Sequence, residues 1–306
     1  MSQISLMAGA TALSKPMASA AAITKHVNTL ISTQSVVTVY HTNDIKGNIE
    51  TAFKNKGGLK LIKAELKKQE TNGLLLDAGN FVNSKHSFYQ QKETVAIMNS
   101  MGYHAAAIGS HELSGGQEQL AALAALMRFP LLNCNYGLTG VLASYVKPYT
   151  IITAGRFRVG ITAVGSKADG IKYNDPVASA NSIAVALKND EKCDMVICLT
   201  HLNDATNGDI SENHKLAEGS ENIDLIIGSN STGLMVSPRV LHNKLKHEVI
   251  LAQAGWHGLM IGRTVIGFDA DKQKNELDIR HIIPGQQPGR FSAALAELSL
   301  AKPAQV

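Results

Sequence analysis

The strongest constraint on the fold is a regular alternation of short apolar runs with amphipathic segments of helical spacing. In the first half of the chain, strands are expected at 35–40, 73–76, 105–108 and 131–132, and helices at 58–68, 94–101 and 117–127. Such alternation is typical of strand-helix-strand units, which build a largely parallel sheet. The sequence therefore predicts an α/β fold.

The second half begins with two apolar runs, 148–153 and 157–164, whose short glycine-containing connection predicts a β-hairpin. Further strands are expected at 195–199, 223–228, 247–253 and 259–268, with a helix at 177–188. The polar segment 203–212 is expected to form a surface loop. We expect one domain over 35–283 and a loosely packed tail over 284–306.

Five polar segments lie at the points where predicted strands end. They are Thr42-Asn43-Asp44-Ile45-Lys46-Gly47, Asp77-Ala78-Gly79-Asn80, Gly109-Ser110-His111-Glu112, Leu199-Thr200-His201-Leu202 and Ile227-Gly228-Ser229-Asn230-Ser231-Thr232. Ligands of open α/β sheets bind at the carboxyl ends of the strands. The five segments are therefore predicted to form one site.

The same segments resemble the signature blocks of the calcineurin-like metallophosphatases, and specifically those of the bacterial 5′-nucleotidase branch. The usual sequences of these blocks are TND-L-H-G, DAGD, GNHE, L-(S/T)-H-L-G and G-G-H-(S/T)-H. The similarity covers the chain from about Val36 to about Phe268. It implies a four-layer α-β-β-α sandwich, the metallo-dependent phosphatase fold, in which two sheets pack face to face and helices lie outside.

The resemblance also implies where two metals would be bound. The corresponding positions here are Asp44, Lys46, Asn80, Ser110, His201, Asn230 and Thr232. Only Asp44 and His201 keep the family residue. Lysine replaces a histidine at 46, asparagine replaces the bridging aspartate at 80, serine replaces an asparagine at 110, and Asn230 and Thr232 replace two histidines. The family's general acid or phosphate-stabilising histidine is retained as His111, with Glu112 after it, so these two are the catalytic candidates.

Physical chemistry predicts that these replacements weaken metal binding. The neutral amide of Asn80 cannot bridge two dications as a carboxylate does. An ammonium about 4 Å from a dication costs roughly 8 kcal/mol at an effective dielectric constant near 20. We expect no tightly bound cofactor, or alternatively one divalent ion (Mn, Zn or Mg) that is held weakly.

Two interpretations of Lys46 remain open. In the first, its ammonium forms an ion pair with Asp44 and so neutralises a carboxylate that would otherwise be buried alone. In the second, Lys46, His111 and His201 form a metal-free anion-binding group for a phosphate. His257 is a candidate for the wall of the pocket, whereas His41 is expected to be hydrogen-bonded to the backbone.

Composition excludes some functions. The chain has 29 basic and 25 acidic residues, a net charge of +4, and no basic cluster, so nucleic-acid binding is not indicated. No apolar run approaches the roughly 18 residues that a membrane span requires. The three cysteines have neither disulfide-framework nor zinc-site spacing.

The amino-terminal residues 1–34 are interpreted as a leader segment, because the small, moderately apolar stretch ends in Ala18-Ser19-Ala20, an A-x-A cleavage pattern. This favours export to the periplasm, with a cytoplasmic location as the alternative. In many members of the family a carboxyl-terminal domain closes over the metallophosphatase domain and binds the nucleoside. Here we expect that such a domain, if it is used, belongs to a separate polypeptide.

Three functions follow from these observations. The first is a 5′-nucleotidase-like protein with impaired hydrolysis that binds a nucleotide, a phosphate-like small molecule or a partner. The second is an active phosphoesterase of the 5′-nucleotidase type with an altered or single metal. The third is an assembly partner without a small-molecule ligand.

Overall fold

The structure is a computed structural model that describes residues 29–30, 35–69, 72–203, 211–229, 238–286 and 290–298, with only the backbone at 29–30. Nearly all of the expected leader segment lies outside the described residues. So do two of the expected metal positions, Asn230 and Thr232, and the end of the predicted tail.

Two seven-stranded sheets form the centre of the molecule. The first contains β1 (Thr29–Leu30), β8 (Tyr149–Ala154), β9 (Phe157–Gly165), β11 (Met195–His201), β12 (Leu225–Gly228), β14 (Glu248–Gln253) and β13 (Arg239–His242), in that spatial order. Strands β9, β11, β12 and β14 are parallel, and β8 and β9 form the predicted hairpin.

The second sheet contains β16 (Lys274–Ile282), β15 (Ile261–Phe268), β2 (Val36–Thr42), β3 (Leu74–Asp77), β4 (Ala105–Ala107), β5 (Leu131–Leu132) and β7 (Val146–Lys147). Five of its strands are parallel, from β2 to β7, and β15 and β16 are added antiparallel at one edge. A separate two-stranded sheet pairs β6 (Tyr136–Gly137) with β10 (Lys172–Tyr173).

The two large sheets pack face to face. Their inner faces share one buried apolar core, to which the alternating residues Val37 and Val39 of β2 and Val159 and Ile161 of β9 contribute. Burial of alternate side chains follows from the two-residue period of a strand. The sequence-based prediction of a sandwich of two sheets is confirmed.

Helices cover both outer faces. They are α1 (Leu59–Leu66), α2 (Phe88–Met101), α3 (Ser110–Leu113), α4 (Gly116–Ala124), α5 (Leu142–Tyr145), α6 (Pro176–Asn189), α7 (Glu212–Gly219) and α8 (Phe291–Leu298), with a 3-10 turn at Trp256–Gly258. Side chains of α1, α2 and α4 form a core with the outer face of the second sheet, and those of α6 and α7 with the first. The result is the predicted α-β-β-α order of layers.

Helix α2 begins six residues earlier than the apolar pattern indicates. Ser87 and Gln90 form a capping box, in which each side chain accepts a hydrogen bond from the other residue's backbone N–H. A capping box satisfies two backbone donors that would otherwise lack partners at a helix start. The polar first turn is helical for this reason.

The expectation of a loosely packed tail is wrong for residues 290–298. In α8, Ala294 and Leu298 are buried in a small apolar cluster together with Trp256. An ion pair of 2.8 Å between Lys56 Nζ and Glu297 Oε2 also ties the helix to the loop before α1. None of the helices in the described ranges combines the length and apolarity that crossing a bilayer requires.

Candidate functional site

The predicted site residues are delivered by strand ends of both sheets. Asp44 follows β2, Asn80 follows β3, and Ser110 follows β4, while His201 ends β11 and Ser229 follows β12. The sheets meet here through side chains of the first and the backbone of the second. The Ser229 hydroxyl lies 2.8 Å from the carbonyl oxygen of Ala78, and His201 Nδ1 lies 3.2 Å from the same oxygen.

Asp44 is buried, and both of its carboxylate oxygens accept hydrogen bonds from amide side chains. Asn43 Nδ2 donates to Oδ2 over 3.0 Å, and Asn80 Nδ2 donates to Oδ1 over 3.1 Å. The importance of Asn43 was not recognised in the sequence, although it belongs to the first polar segment. Its own Oδ1 accepts the backbone N–H of Ala254 over 2.8 Å, which fixes the direction of its amide.

The Asn80 side chain is also held in one orientation. Its Oδ1 accepts the backbone N–H of His111 over 2.9 Å. Because a backbone N–H can only donate, the oxygen must face His111 and the NH₂ group must face Asp44. The carbonyl oxygen of Asn80 accepts the backbone N–H of Lys46 over 2.7 Å, so Asn80 joins three of the polar segments.

Glu112 holds the same loops together. Its carboxylate accepts backbone N–H groups from Asn80 at 2.9 Å, Val82 at 3.0 Å and Gly109 at 2.8 Å. Burial raises the pKa of Glu112 to about 7, although these three donors favour the ionised form and lower the pKa. The catalytic role expected for Glu112 stays a prediction. Its contacts with three backbone N–H groups stabilise the loops around Asn80.

His111 and His201 each use Nδ1 for a structural contact. His111 Nδ1 accepts the backbone N–H of Ser84 over 3.0 Å. His201 Nδ1 lies 2.5 Å from the Ser229 hydroxyl oxygen. Burial, with Lys46 nearby, lowers the pKa of His111 to about 4, and burial also lowers the pKa of His201. Both rings are therefore neutral at neutral pH.

The predicted ion pair between Lys46 and Asp44 is not formed among the described residues, since no nitrogen-to-oxygen distance between them is 4.0 Å or less. Amide groups surround the carboxylate instead. Lys46 nevertheless lies close enough to lower the pKa values of His111, His201 and His257. It therefore supplies positive charge to the site as a whole.

His257 lies beside Asp44, whereas its place in the wall of the pocket stays a prediction. Its backbone N–H donates to the Asp44 carbonyl oxygen over 2.7 Å. Four non-glycine residues of the site have left-handed backbones: φ is 49° at Asp44, 50° at Lys46, 57° at Asn80 and 55° at His257. Such conformations are disfavoured for L-residues and concentrate at functional sites, where surrounding contacts hold them.

A cavity of about 600 Å³ opens next to these residues. It is lined by Ser110, Leu113, Ser114, Gly116, Tyr136, Ser166, Lys167, Ala168, Asp169, His201 and Asn203. Its two charged side chains, Lys167 and Asp169, are exposed. The volume is within the range of small-molecule sites in proteins, and the lining is largely polar.

The prediction for His41 is wrong. Neither ring nitrogen of this fully buried residue has a hydrogen-bond partner among the described residues, and burial lowers its pKa to about 3. The strand register explains the position, because His41 lies opposite Gly262 of β15, whose missing side chain leaves room for the ring. His41 is thus a neutral core residue of the second sheet.

The sequence is similar to those of several nucleotide-cleaving enzymes. It is 27% identical over 276 residues to the trifunctional nucleotide phosphoesterase of Bacillus subtilis, a match that covers 76% of this chain and 18% of that protein. It is 32% identical over 157 residues to the snake venom 5′-nucleotidase of Gloydius brevicauda, covering 45% and 27%. No protein-family model matches the chain.

Solved structures agree on the fold. The 5′-nucleotidase precursor from Thermus thermophilus has a TM-score of 0.73 at 23% identity, with 86% of this chain and 58% of that chain covered. The NAD nucleotidase of Haemophilus influenzae has a TM-score of 0.68 at 19% identity, with 86% and 55% covered. The chain spans less than two thirds of the length of each of these relatives. Its sequence relatives and structural neighbours are thus 5′-nucleotidases and calcineurin-like phosphoesterases, and it shares their fold.

Proposed function

We propose that this protein is a 5′-nucleotidase-like phosphoesterase homologue with strongly impaired hydrolysis, which binds a nucleotide or another phosphate-bearing small molecule without two metals. The observation that carries the proposal is the orientation of Asn80, which directs an N–H group at the Asp44 carboxylate.

The Asn80 hydrogen bond bears directly on metal binding. By resemblance, position 80 provides the carboxylate that bridges the two metals. In this chain, position 80 provides an amide N–H donor. That donor is hydrogen-bonded to Asp44, the one carboxylate among the family's ligand positions that this sequence retains. In the described part of the chain, three or more His, Cys, Asp or Glu side chains nowhere converge as a metal-binding group. This donor set does not fit a dinuclear metal centre.

The same residues suit an anion. Lys46 contributes positive charge near three histidines. His111, whose Nδ1 is occupied by Ser84, has a proton on Nε2 and is a neutral donor. Phosphate oxygens accept hydrogen bonds from both kinds of donor. Lys46, His111 and His201 are therefore proposed as the phosphate-binding group, with the adjoining cavity for the rest of the ligand.

One observation favours the alternative, an active phosphoesterase with a single or altered metal. Nε2 of His201 is buried and has no hydrogen-bond partner among the described residues. A bare imidazole nitrogen whose other nitrogen is held by the protein is the usual form of a metal-binding histidine. In that case His201 and Asp44 would hold one weakly bound ion.

Metal analysis and a hydrolysis assay distinguish the two functions. We expect the purified protein to retain less than one divalent ion per chain after dialysis against Mn²⁺, Zn²⁺ or Mg²⁺, and to hydrolyse a generic phosphate monoester no faster than a heat-denatured control. Stoichiometric metal, together with turnover that His111→Ala abolishes, would establish the active phosphoesterase instead.

Ligand binding is tested separately with Lys46→Gln. Loss of the ammonium near a bound phosphate is expected to weaken phosphate or AMP binding about tenfold or more, as measured by titration calorimetry in the presence of EDTA. Lys67→Gln changes an exposed lysine at the end of α1 and serves as the matched control. Equal losses in both variants would contradict the placement of the phosphate at Lys46.

The proposal includes a protein partner. A separate polypeptide with a domain of the 5′-nucleotidase carboxyl-terminal type would cover the cavity and contact the nucleoside. Co-purification of this chain with such a domain, stronger in the presence of AMP than without it, is the expected result. A complex that forms equally well without AMP would favour the assembly role.

A further inference from the structure

The two site histidines, His111 and His201, have opposite tautomers. His111 Nδ1 accepts the Ser84 N–H, so the proton of its neutral ring lies on Nε2, which is a donor. For His201 the surroundings of Nδ1 require the reverse. Its neighbours are the Ala78 carbonyl oxygen at 3.2 Å and the Ser229 hydroxyl at 2.5 Å.

The Ser229 hydroxyl decides the tautomer of His201. Its oxygen lies 2.8 Å from two carbonyl oxygens, those of Ala78 and Thr200, and it has a single hydrogen to donate. Carbonyl oxygens only accept, and that of Ala78 also lies 3.2 Å from His201 Nδ1, so a proton on Nδ1 supplies the second donor that these close contacts require. Nε2 of His201 is then an acceptor with a free lone pair.

This lone pair belongs to the site. His201 is 2% exposed, it lines the 600 Å³ cavity, and its Nε2 has no partner among the described residues. A buried polar atom without a hydrogen bond is destabilising, so such an atom facing a cavity is suited to receive a hydrogen bond from a water molecule or a ligand. The site therefore presents donors at Lys46 and His111 and one unsatisfied acceptor at His201.

We infer that the site selects an oxyanion that still carries a hydrogen atom, namely inorganic phosphate or a singly protonated phosphate monoester, over an oxyanion without one. The inference rests on the proposed phosphate-binding function. The P–OH group donates to His201 Nε2, while the other oxygens accept from His111 and Lys46. Sulfate matches phosphate in shape but has no hydrogen at neutral pH, so one of its oxygens would face the His201 lone pair.

The expected preference for phosphate over sulfate is the reverse of what charge attraction alone would give. Sulfate carries two negative charges at neutral pH, whereas inorganic phosphate carries between one and two, so a cationic site without an acceptor would favour sulfate. An unsatisfied pair of facing acceptors lowers affinity by about tenfold or more. We therefore expect phosphate to bind at least about ten times more tightly than sulfate.

Titration calorimetry at pH 7 with phosphate and sulfate, at equal ionic strength and with EDTA, tests the inference. His201→Asn keeps a polar group near the Nδ1 position and removes Nε2, so phosphate should lose an acceptor, sulfate should lose a facing lone pair, and the ratio of the two affinities should fall from about ten or more to about one. The control is His242→Asn, at an exposed strand position, which should change neither value.

The experiment distinguishes failure of the anion selectivity from failure of the phosphate-binding function. If both anions bind the natural chain with equal affinity, or sulfate binds more tightly, the selectivity is refuted and the phosphate-binding function stands. If neither anion binds, the phosphate-binding function itself is refuted. The comparison of the two anions on the natural chain suffices even if His201→Asn does not fold.

Discussion

Introducing the family residues at the five positions that are proposed to have lost their metal ligands is expected to convert this chain into a two-metal phosphoesterase. The variant carries Lys46→His, Asn80→Asp, Ser110→Asn, Asn230→His and Thr232→His. Metal ions stabilise transition-state charge by several kcal/mol, and about 1.4 kcal/mol corresponds to tenfold in rate, so hydrolysis should rise at least about a thousandfold over the natural chain. Turnover of a generic phosphate monoester and metal content by mass spectrometry measure the two effects.

A partial restoration is the control. Asn80→Asp alone places a second carboxylate beside Asp44 and loses the 3.1 Å amide hydrogen bond, while Lys46 and the other replacements remain. We expect this variant to be less stable than the natural chain and to bind no second ion, because like charges close together in a buried site destabilise each other. Binding of two metals by the full restoration without any hydrolysis would contradict the proposal that the replaced ligands account for impaired hydrolysis.

Glu112→Ala should produce the largest loss of stability among single changes at the site. Three buried backbone N–H groups, from Asn80, Val82 and Gly109, lose their acceptor together. Each unsatisfied buried donor costs about 1–3 kcal/mol, so we expect the free energy of unfolding to fall by about 3 kcal/mol or more in urea denaturation.

The control for this effect is Glu118→Ala, an exposed glutamate in the first turn of α4. Its loss should change the free energy of unfolding by about 0.5 kcal/mol or less. A destabilisation of similar size in both variants would show that the contacts of Glu112 are not what holds the loops around Asn80.

The fold could be predicted because its signals are local. Apolar periodicity located the central strands to within one or two residues, and the polar segments at strand ends identified where the site lies. None of the four edge strands of the two large sheets, β1, β7, β13 and β16, was predicted. Strands β1 and β7 have only two residues each, and no residue of β13 or β16 is fully buried, features that are common in edge strands and leave little signal in the sequence. The start of α2 did have a local signal in Ser87 and Gln90, which outweighs the apolar spacing.

The arrangement of the site was harder to predict, because it depends on contacts between residues far apart in the sequence. The ion pair expected for Lys46 and Asp44 assumed that a buried carboxylate needs a cation. The amides of Asn43 and Asn80 satisfy it instead, and Asn80 lies 36 residues away. The Ser229 hydroxyl, which contacts His201 Nδ1, likewise joins the two sheets through the Ala78 carbonyl oxygen.

The left-handed backbones at Asp44, Lys46, Asn80 and His257 have a consequence for the entropy of binding. Each of these conformations is fixed by hydrogen bonds within the protein before any ligand arrives, including Lys46 N–H to Asn80 O and His257 N–H to Asp44 O. A ligand therefore meets a preorganised backbone and does not have to order these segments when it binds, which removes a usual cost of association.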